Sequence, residues 1–207
     1  MSERFRIYVA ATADLEAHRS IVSHLLARLP VQMGAEIRRC PPAGASYDDL
    51  FELISNVDRF YFLIGRDITA PAGTEWDLAV QLQRTIIPFR QRNPLTPSGF
   101  LFITRALLEI PLRNWRFFET PLDLARLVAA ELIDTLLHPE NRYGLTTGEM
   151  LLLEQRRQEI EAGRWPRPED LPHDVLQEGG IILDASPDPN DPFTNLPIFS
   201  PTEDVAP

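Results

Sequence analysis

Phe60-Tyr61-Phe62-Leu63-Ile64-Gly65, with Gly73-Thr74-Glu75-Trp76-Asp77-Leu78-Ala79 a short interval later, decides the fold. The first run is apolar or aromatic up to its glycine and has the length of a strand. That is the pattern of a strand covered on both faces. The second opens a helix read as Thr74–Gln83. Thr74 is a capping type, and Asp77 three places on completes a variant of the capping box. Thr85-Ile86-Ile87-Pro88-Phe89-Arg90 follows at once as another strand. Strand, helix and strand in this order predict parallel strands joined by a right-handed crossover. The loop Arg66–Ala72 then lies at the carboxyl edge of the sheet, where open α/β sheets bind ligands. On that reading Glu75 occupies the first helical turn, at the same edge.

The pattern continues outward. Phe5–Ala10 reads as a strand, and Asp14 to Leu29 as an amphipathic helix whose Leu15, Ile21, Val22, Leu25, Leu26 and Leu29 recur near the 3.6 period. Pro30 and Gly34 end it. Ala35–Cys40 is a second, less apolar strand of edge type. Ser46 caps a helix over Tyr47–Asn56, with Leu50, Phe51, Leu53 and Ile54 as its core face. The strand quoted first spans Asp58–Gly65. Gln91–Gly99 reads as a loop, Phe100–Ile110 as a helix and Trp115–Glu119 as a fifth strand. Thr120 and Pro121 open a helix over Leu122–Leu137, since proline suits the first helical position. The prediction is a flavodoxin-like α/β domain over residues 1–140, with a mostly parallel five-stranded sheet and helices on both faces. A further helix, Thr146–Glu161, falls within 141–163. Residues 164–207 carry nine prolines in 44 residues, so an extended, irregular tail is expected. Ile181-Ile182-Leu183 and Phe193–Phe199 are its segments suited to pinning it to a surface.

Composition removes several function classes. The chain has 207 residues, room for one domain with a core plus an appendage. All 20 basic residues are arginine, which excludes a P-loop lysine, a lysine Schiff base and a lysine nucleophile. Cys40 is the only cysteine, so neither an intramolecular disulfide nor a cysteine-based zinc site is expected. His18, His24, His138 and His173 lack metal-ligand spacing and read as surface histidines, so no metal is expected. The net charge is −10, and nine acids against Arg164 and Arg167 from residue 164 onward place seven of those charges in the tail. That balance argues against a nucleic-acid partner. No apolar stretch approaches 18 residues, so no membrane span is expected. Met1-Ser2-Glu3-Arg4 opens into a strand without a signal-peptide pattern, which predicts a cytoplasmic protein.

Asp14, Leu15 and Arg19 after the first strand, then Glu75-Trp76-Asp77-Leu78-Ala79, Ile86-Ile87-Pro88-Phe89 and the segment Trp115 to Leu124, resemble in their order the TIR-like superfamily. The layout is most similar to a bacterial TIR-like group in which Ser-Ser-Thr and Asp-Leu follow the first strand. The resemblance covers roughly Phe5–Leu137 and rests on layout and short motifs. Ala10-Ala11-Thr12 stands where Ser-Ser-Thr is usual, with one residue fewer between Thr12 and Asp14. The alanines remove hydroxyls suited to a phosphate or ribose. Nucleoside deoxyribosyltransferases are similar in part. Ile7-Tyr8-Val9-Ala10 fits their first strand, and Gly73-Thr74 fits their Gly-Thr-x-x-Glu segment, with Asp77 at the Glu position.

The resemblance implies a nucleotide N-glycosidase that cleaves the nicotinamide–ribose bond of NAD or a related nucleotide, in bacterial defence signalling. NAD enters as substrate, and no cofactor is implied. The leaving group is already cationic, so the enzyme mainly holds the ribose and sets negative charge beside an oxocarbenium-like transition state. Glu75 is the implied catalytic acid. Ala11, Thr12, Asp14, Arg66, Asp67, Thr74 and Asp77 are the implied substrate-binding residues. Arg66 and Asp67 suit a phosphate and a ribose; Thr12 and Asp14 sit at a helix start, a natural anion or sugar site. The plainer reading of the same residues is as caps and exposed loop residues. Glu75 in a first turn gains about 0.3–1 kcal/mol from the helix dipole with no chemistry at all. Trp76 reads as packing, Tyr61 and Phe62 as core rather than base-stacking residues, and Arg19 as the partner of a surface acid. Two other readings stay open: a non-catalytic TIR-like adaptor that assembles with itself or a partner protein, and a deoxyribosyltransferase-like enzyme using Asp77.

Overall fold

The computed structural model describes residues 4–140 and 143–178; the segments 181–183 and 193–199 lie outside them. Five strands, β1 (Phe5–Ala11), β2 (Ala35–Arg38), β3 (Arg59–Ile64), β4 (Ile86–Gln91) and β5 (Arg116–Phe118), form one sheet in the order β2-β1-β3-β4-β5. Every pairing is parallel. This is the flavodoxin-like order, and its switch point lies between β1 and β3.

The period-2 alternation of the strands divides the core into two layers. Phe5, Ile7, Val9 and Ala11 of β1 join Tyr61, Leu63 and Phe89 on one face, against α1 (Arg19–Leu26) and α5 (Pro121–Leu137). Tyr8 and Ala10 join Phe60, Phe62 and Ile64 on the other, against α2 (Tyr47–Ser55), α3 (Ala70–Gln81) and α4 (Pro97–Glu109). On this second face Phe62 meets Trp76 edge-on at 4.8 Å, and Trp76 meets Phe102 at 5.5 Å. Trp76 is therefore packing, and Tyr61 and Phe62 are fully buried and cannot stack on a base.

Capping residues fix the helix starts where the chain supplies them. Ser46 with Asp49, Thr120 with Asp123 and Thr146 with Glu149 close complete capping boxes on α2, α5 and α6 (Thr147–Glu161). Helix α3 is different. It begins five residues earlier than the Thr74 cap predicts, with Thr69 at the cap position and Pro71 in the first turn. Proline carries no N–H that a first turn must satisfy, and its ring presets the helical φ. Thr74 is thus an interior residue whose hydroxyl donates to the Ala70 carbonyl at 3.1 Å. Glu75 belongs to the second turn, and the proposed Thr74–Asp77 box does not form.

Three further expectations need correction. The helix expected over Asp14–Leu29 is a single 3-10 turn, Ala13–Leu15, followed by the shorter α1. The chain after Arg164 is not wholly irregular: it holds a 3-10 turn at Pro168–Asp170 and α7 (His173–Glu178). Leu153 of α6, Trp165, Leu171 and Val175 are buried in the same cluster as β1, α1 and α5. His18 is buried too, against the expectation of a surface residue.

Candidate functional site

At the carboxyl edge, over the β1–β3 switch point, the backbone N–H groups of Gly65 and Arg66 point up from the end of β3. In nucleotide-binding α/β folds such donors meet a phosphate. Here the chain meets them itself. Thr12 Oγ1 accepts from the Gly65 N–H at 3.1 Å, and Asp14 Oδ2 accepts from the Arg66 N–H at 2.7 Å. The Thr12 hydroxyl in turn donates to Asp14 Oδ1 at 2.5 Å. Gly65 is essential to this closure, because a Cβ there would lie 2.0 Å from Asp14 Oδ2. Neither Thr12 nor Asp14 caps a helix through its side chain; both bridge β1 to β3. Ala11, a buried β1 residue, offers its carbonyl to Arg19 at 3.2 Å. Arg19 also pairs with Glu16 at 2.9 Å, as expected.

Beneath this edge lies Glu75. It is 0% exposed, and its Oε1 accepts from the Tyr8 hydroxyl at 2.9 Å. The alternation of β1 delivers Tyr8 to the α3 side, and the true start of α3 turns Glu75 inward to meet it. Oε2 is buried with no hydrogen-bond partner among the described residues. The Cys40 thiol is its neighbour but inclines to the Pro41 carbonyl at 3.6 Å, so we take it as a contact rather than a donor. Burial pushes the Glu75 carboxyl up to about 7, partly opposed by the Tyr8 hydrogen bond and the Arg19 charge. Burial, and then the Glu75 carboxylate, push the Tyr8 hydroxyl far above its ordinary range. The Cys40 thiol is raised by the same two causes.

The remaining predicted site residues do not converge on Glu75. Asp67 Oδ1 accepts from the hydroxyls of Thr96 and Ser98 and from the Ile68 N–H, so it ties the loop after β3 to the start of α4. The hydrogen bond from Ser98, and then that from Thr96, hold its carboxyl below the usual range. Arg66 is exposed, and its carbonyl accepts from Thr96 N–H at 2.9 Å. Asp77 pairs with Arg105 of α4 on the surface. Thr74 is exposed on α3. Thr12, Asp14 and Arg66 thus gather at one point, Glu75 is buried against Tyr8, and Asp67 and Asp77 face α4.

Tyr8 and Cys40 are the companions of Glu75 that the sequence reading missed. The one available signal was a hydroxyl-bearing ring in an otherwise apolar strand. Two clefts lie elsewhere. One of about 390 Å³ opens beside Trp165, Arg156 and Arg28, and one of about 690 Å³ at the amino edge of the sheet is bordered by Arg6, Arg59 and Arg84. Among the described residues no group of three or more His, Cys, Asp or Glu side chains gathers where it could hold a metal ion, and no helix is long and apolar enough to cross a membrane. No protein-family model matches the chain, and no curated protein matches it.

Proposed function

We propose that this chain is a non-catalytic, flavodoxin-like interaction module that assembles with a second copy of itself through α4. The supporting observation is the outer face of that helix. Phe100 is 61%, Leu101 68% and Leu108 88% exposed, and Leu112 just beyond the helix is 58% exposed. Exposed apolar side chains gathered on one helix face mark interaction surfaces. The stripe is self-complementary: an antiparallel two-fold crossing sets Phe100 of one copy against Leu108 of the other. A specific two-fold contact through this face needs about 1,000 Å² of buried surface or more. The Arg105–Asp77 pair flanks the stripe as a polar rim. Self-association also agrees with the TIR-like resemblance, whose members build composite assemblies.

The test is the mass of the particle in solution. Light scattering across a concentration series should give a dimer for the wild type and a monomer for Leu101→Glu and Leu108→Glu, with unchanged circular dichroism. A wild type that stays monomeric throughout the series sinks the proposal.

The second reading, an N-glycosidase acting on NAD or a related nucleotide, draws support from one feature. Glu75 has a carboxyl near neutrality and a free Oε2, the properties of an acid available to a sugar. It requires the β1–α3 seam to open, since Glu75 touches no solvent. Nicotinamide release from NAD, present only in the assembled state and lost in Glu75→Gln, would favour this reading. Absence of release in dilute and assembled samples alike favours the interaction module. Base exchange between nucleosides, the deoxyribosyltransferase reaction, has less support, because Asp77 is engaged by Arg105 on the surface.

A further inference from the structure

We propose that Arg90, Arg92 and Phe117, at the carboxyl end of β4 and β5, form a binding site for the phosphate group of a small phosphorylated ligand. The argument begins with register. Arg90 pairs with Phe117 across the parallel strands, so both side chains leave the sheet on the same face. Arg92, two residues on, follows the same side. Both guanidinium groups lie over the Phe117 ring, at 5.9 Å for Arg90 and 5.5 Å for Arg92. The Arg92 N–H donates to the Phe118 carbonyl at 2.8 Å, and the Asn93 amide holds Gln91 Oε1 at 2.8 Å, so the segment carrying the pair is fixed.

The second observation is what the two arginines lack. Among the described residues neither has a carboxylate within 4.0 Å, and neither side chain makes a hydrogen bond; the Arg90 Nε is buried without an acceptor. Arg116 also has an unpaired Nε, but its terminal nitrogen holds Glu131. Arg84 spends its donors on the Leu82 and Ser55 carbonyls. Arg90 has only the ring and a like-charged neighbour, and burial, then Arg92, lower its proton affinity. The chain has 30 acids against 20 bases, so acids are plentiful, yet none is placed here. A half-buried arginine beside an exposed one, with no acid against either, departs from the rule that buried charge is matched, and such breaches concentrate at functional sites.

The ligand chemistry follows from geometry. Two planar guanidinium forks match the oxygens of a phosphate. Stacking on one ring holds the forks in place and reduces the freedom lost on binding. A dianion neutralises both charges at once, which a single carboxylate does not. The site lies at the carboxyl edge, the side on which open α/β sheets take ligands. It is independent of self-association and of any turnover.

Calorimetry on the full chain, at constant ionic strength, tests this with inorganic phosphate, inorganic pyrophosphate and a nucleoside diphosphate as probes. Saturable binding of pyrophosphate is expected, weakened about tenfold or more in Arg92→Gln and in Arg90→Gln, as loss of a charge-assisted phosphate contact predicts. Arg113→Gln, an exposed arginine on the turn before β5, should bind as the wild type does. Arg92 is exposed, so its variant gives the reading even if Arg90→Gln fails to fold. A nucleoside diphosphate binding more tightly than pyrophosphate identifies a nucleotide as the source of the phosphate; equal binding identifies the phosphate alone. No saturable binding of any probe, equal affinity in the arginine variants, or equal competition by polyglutamate overturns the proposal.

Discussion

The carboxyl edge of the sheet has two halves that treat polar groups in opposite ways. Over β1 and β3, Thr12 and Asp14 take the Gly65 and Arg66 N–H groups that a phosphate would use. Over β4 and β5, two guanidinium groups stand together with no anion supplied. Topology alone would assign the ligand to the first half, at the switch point. Satisfaction of charge assigns it to the second. The contrast teaches that a fold's favoured crevice can be closed by its own side chains, and that unmet groups locate a binding site more directly than strand order does.

The largest test of the closed half concerns what lies beneath it. Glu75 is raised from 4.5 to about 7, so its contribution to stability is fully present below pH 4.5 and is lost as pH rises through 7. A shift of that size corresponds to roughly 3 kcal/mol above pH 7. Urea melts at pH 5 and pH 8 should therefore show Glu75→Gln near the wild type at the lower pH and more stable at the higher, by up to that amount. A variant less stable than wild type at pH 8 would show that the charged carboxylate is compensated, and the burial of Glu75 not as described.

Next in size is Gly65→Ala. The added methyl displaces the Asp14 carboxylate and both hydrogen bonds it accepts, for a loss of about 2 kcal/mol in chemical denaturation. A loss within error would mean the closure is loose and the two halves differ less than argued. Tyr8→Phe removes the donor to Glu75 Oε1 and strands a buried oxygen, with about 1–2 kcal/mol lost at pH 8 and less at pH 5. The smallest stability effect, and the sharpest on the comparison, belongs to Asp14→Ala, at about 1 kcal/mol. It frees the Arg66 N–H and the Thr12 hydroxyl, so a second, weaker pyrophosphate event should appear in calorimetry. One binding event before and after would mean that the donors alone make no anion site.

Much of this molecule was legible in the sequence, and the gaps have physical causes. Phe60–Ile64 declared a buried strand because both faces are covered, Phe5–Ala10 read as a strand from its short apolar run, and the order of strands and helices gave the parallel sheet. Thr120-Pro121 and Ser46 marked helix starts correctly because their partners Asp123 and Asp49 stand three residues on. Thr74 and Asp77 have the same spacing, but Pro71 had already started α3, and a capping pattern inside a helix is silent. That displacement turned Glu75 from the edge to the interior. The residue was readable; its burial depended on Tyr8, 67 positions away in sequence. Arg90 and Arg92 read as the tail of a strand and the start of a loop, since nothing local reveals that no acid comes to meet them. His18 was misjudged as a surface residue, since nothing in its local sequence reveals that it is buried.

The burial of Leu153, Trp165, Leu171 and Val175 against the β1–α1–α5 layer has a practical corollary for anyone trimming this protein. A fragment ended at residue 140, just past the end of α5, would strip an apolar layer off the helices that cover the sheet and invite clumping. The smallest piece that keeps its own insulation runs through α7, so the autonomous folding unit is longer than the α/β pattern by itself suggests.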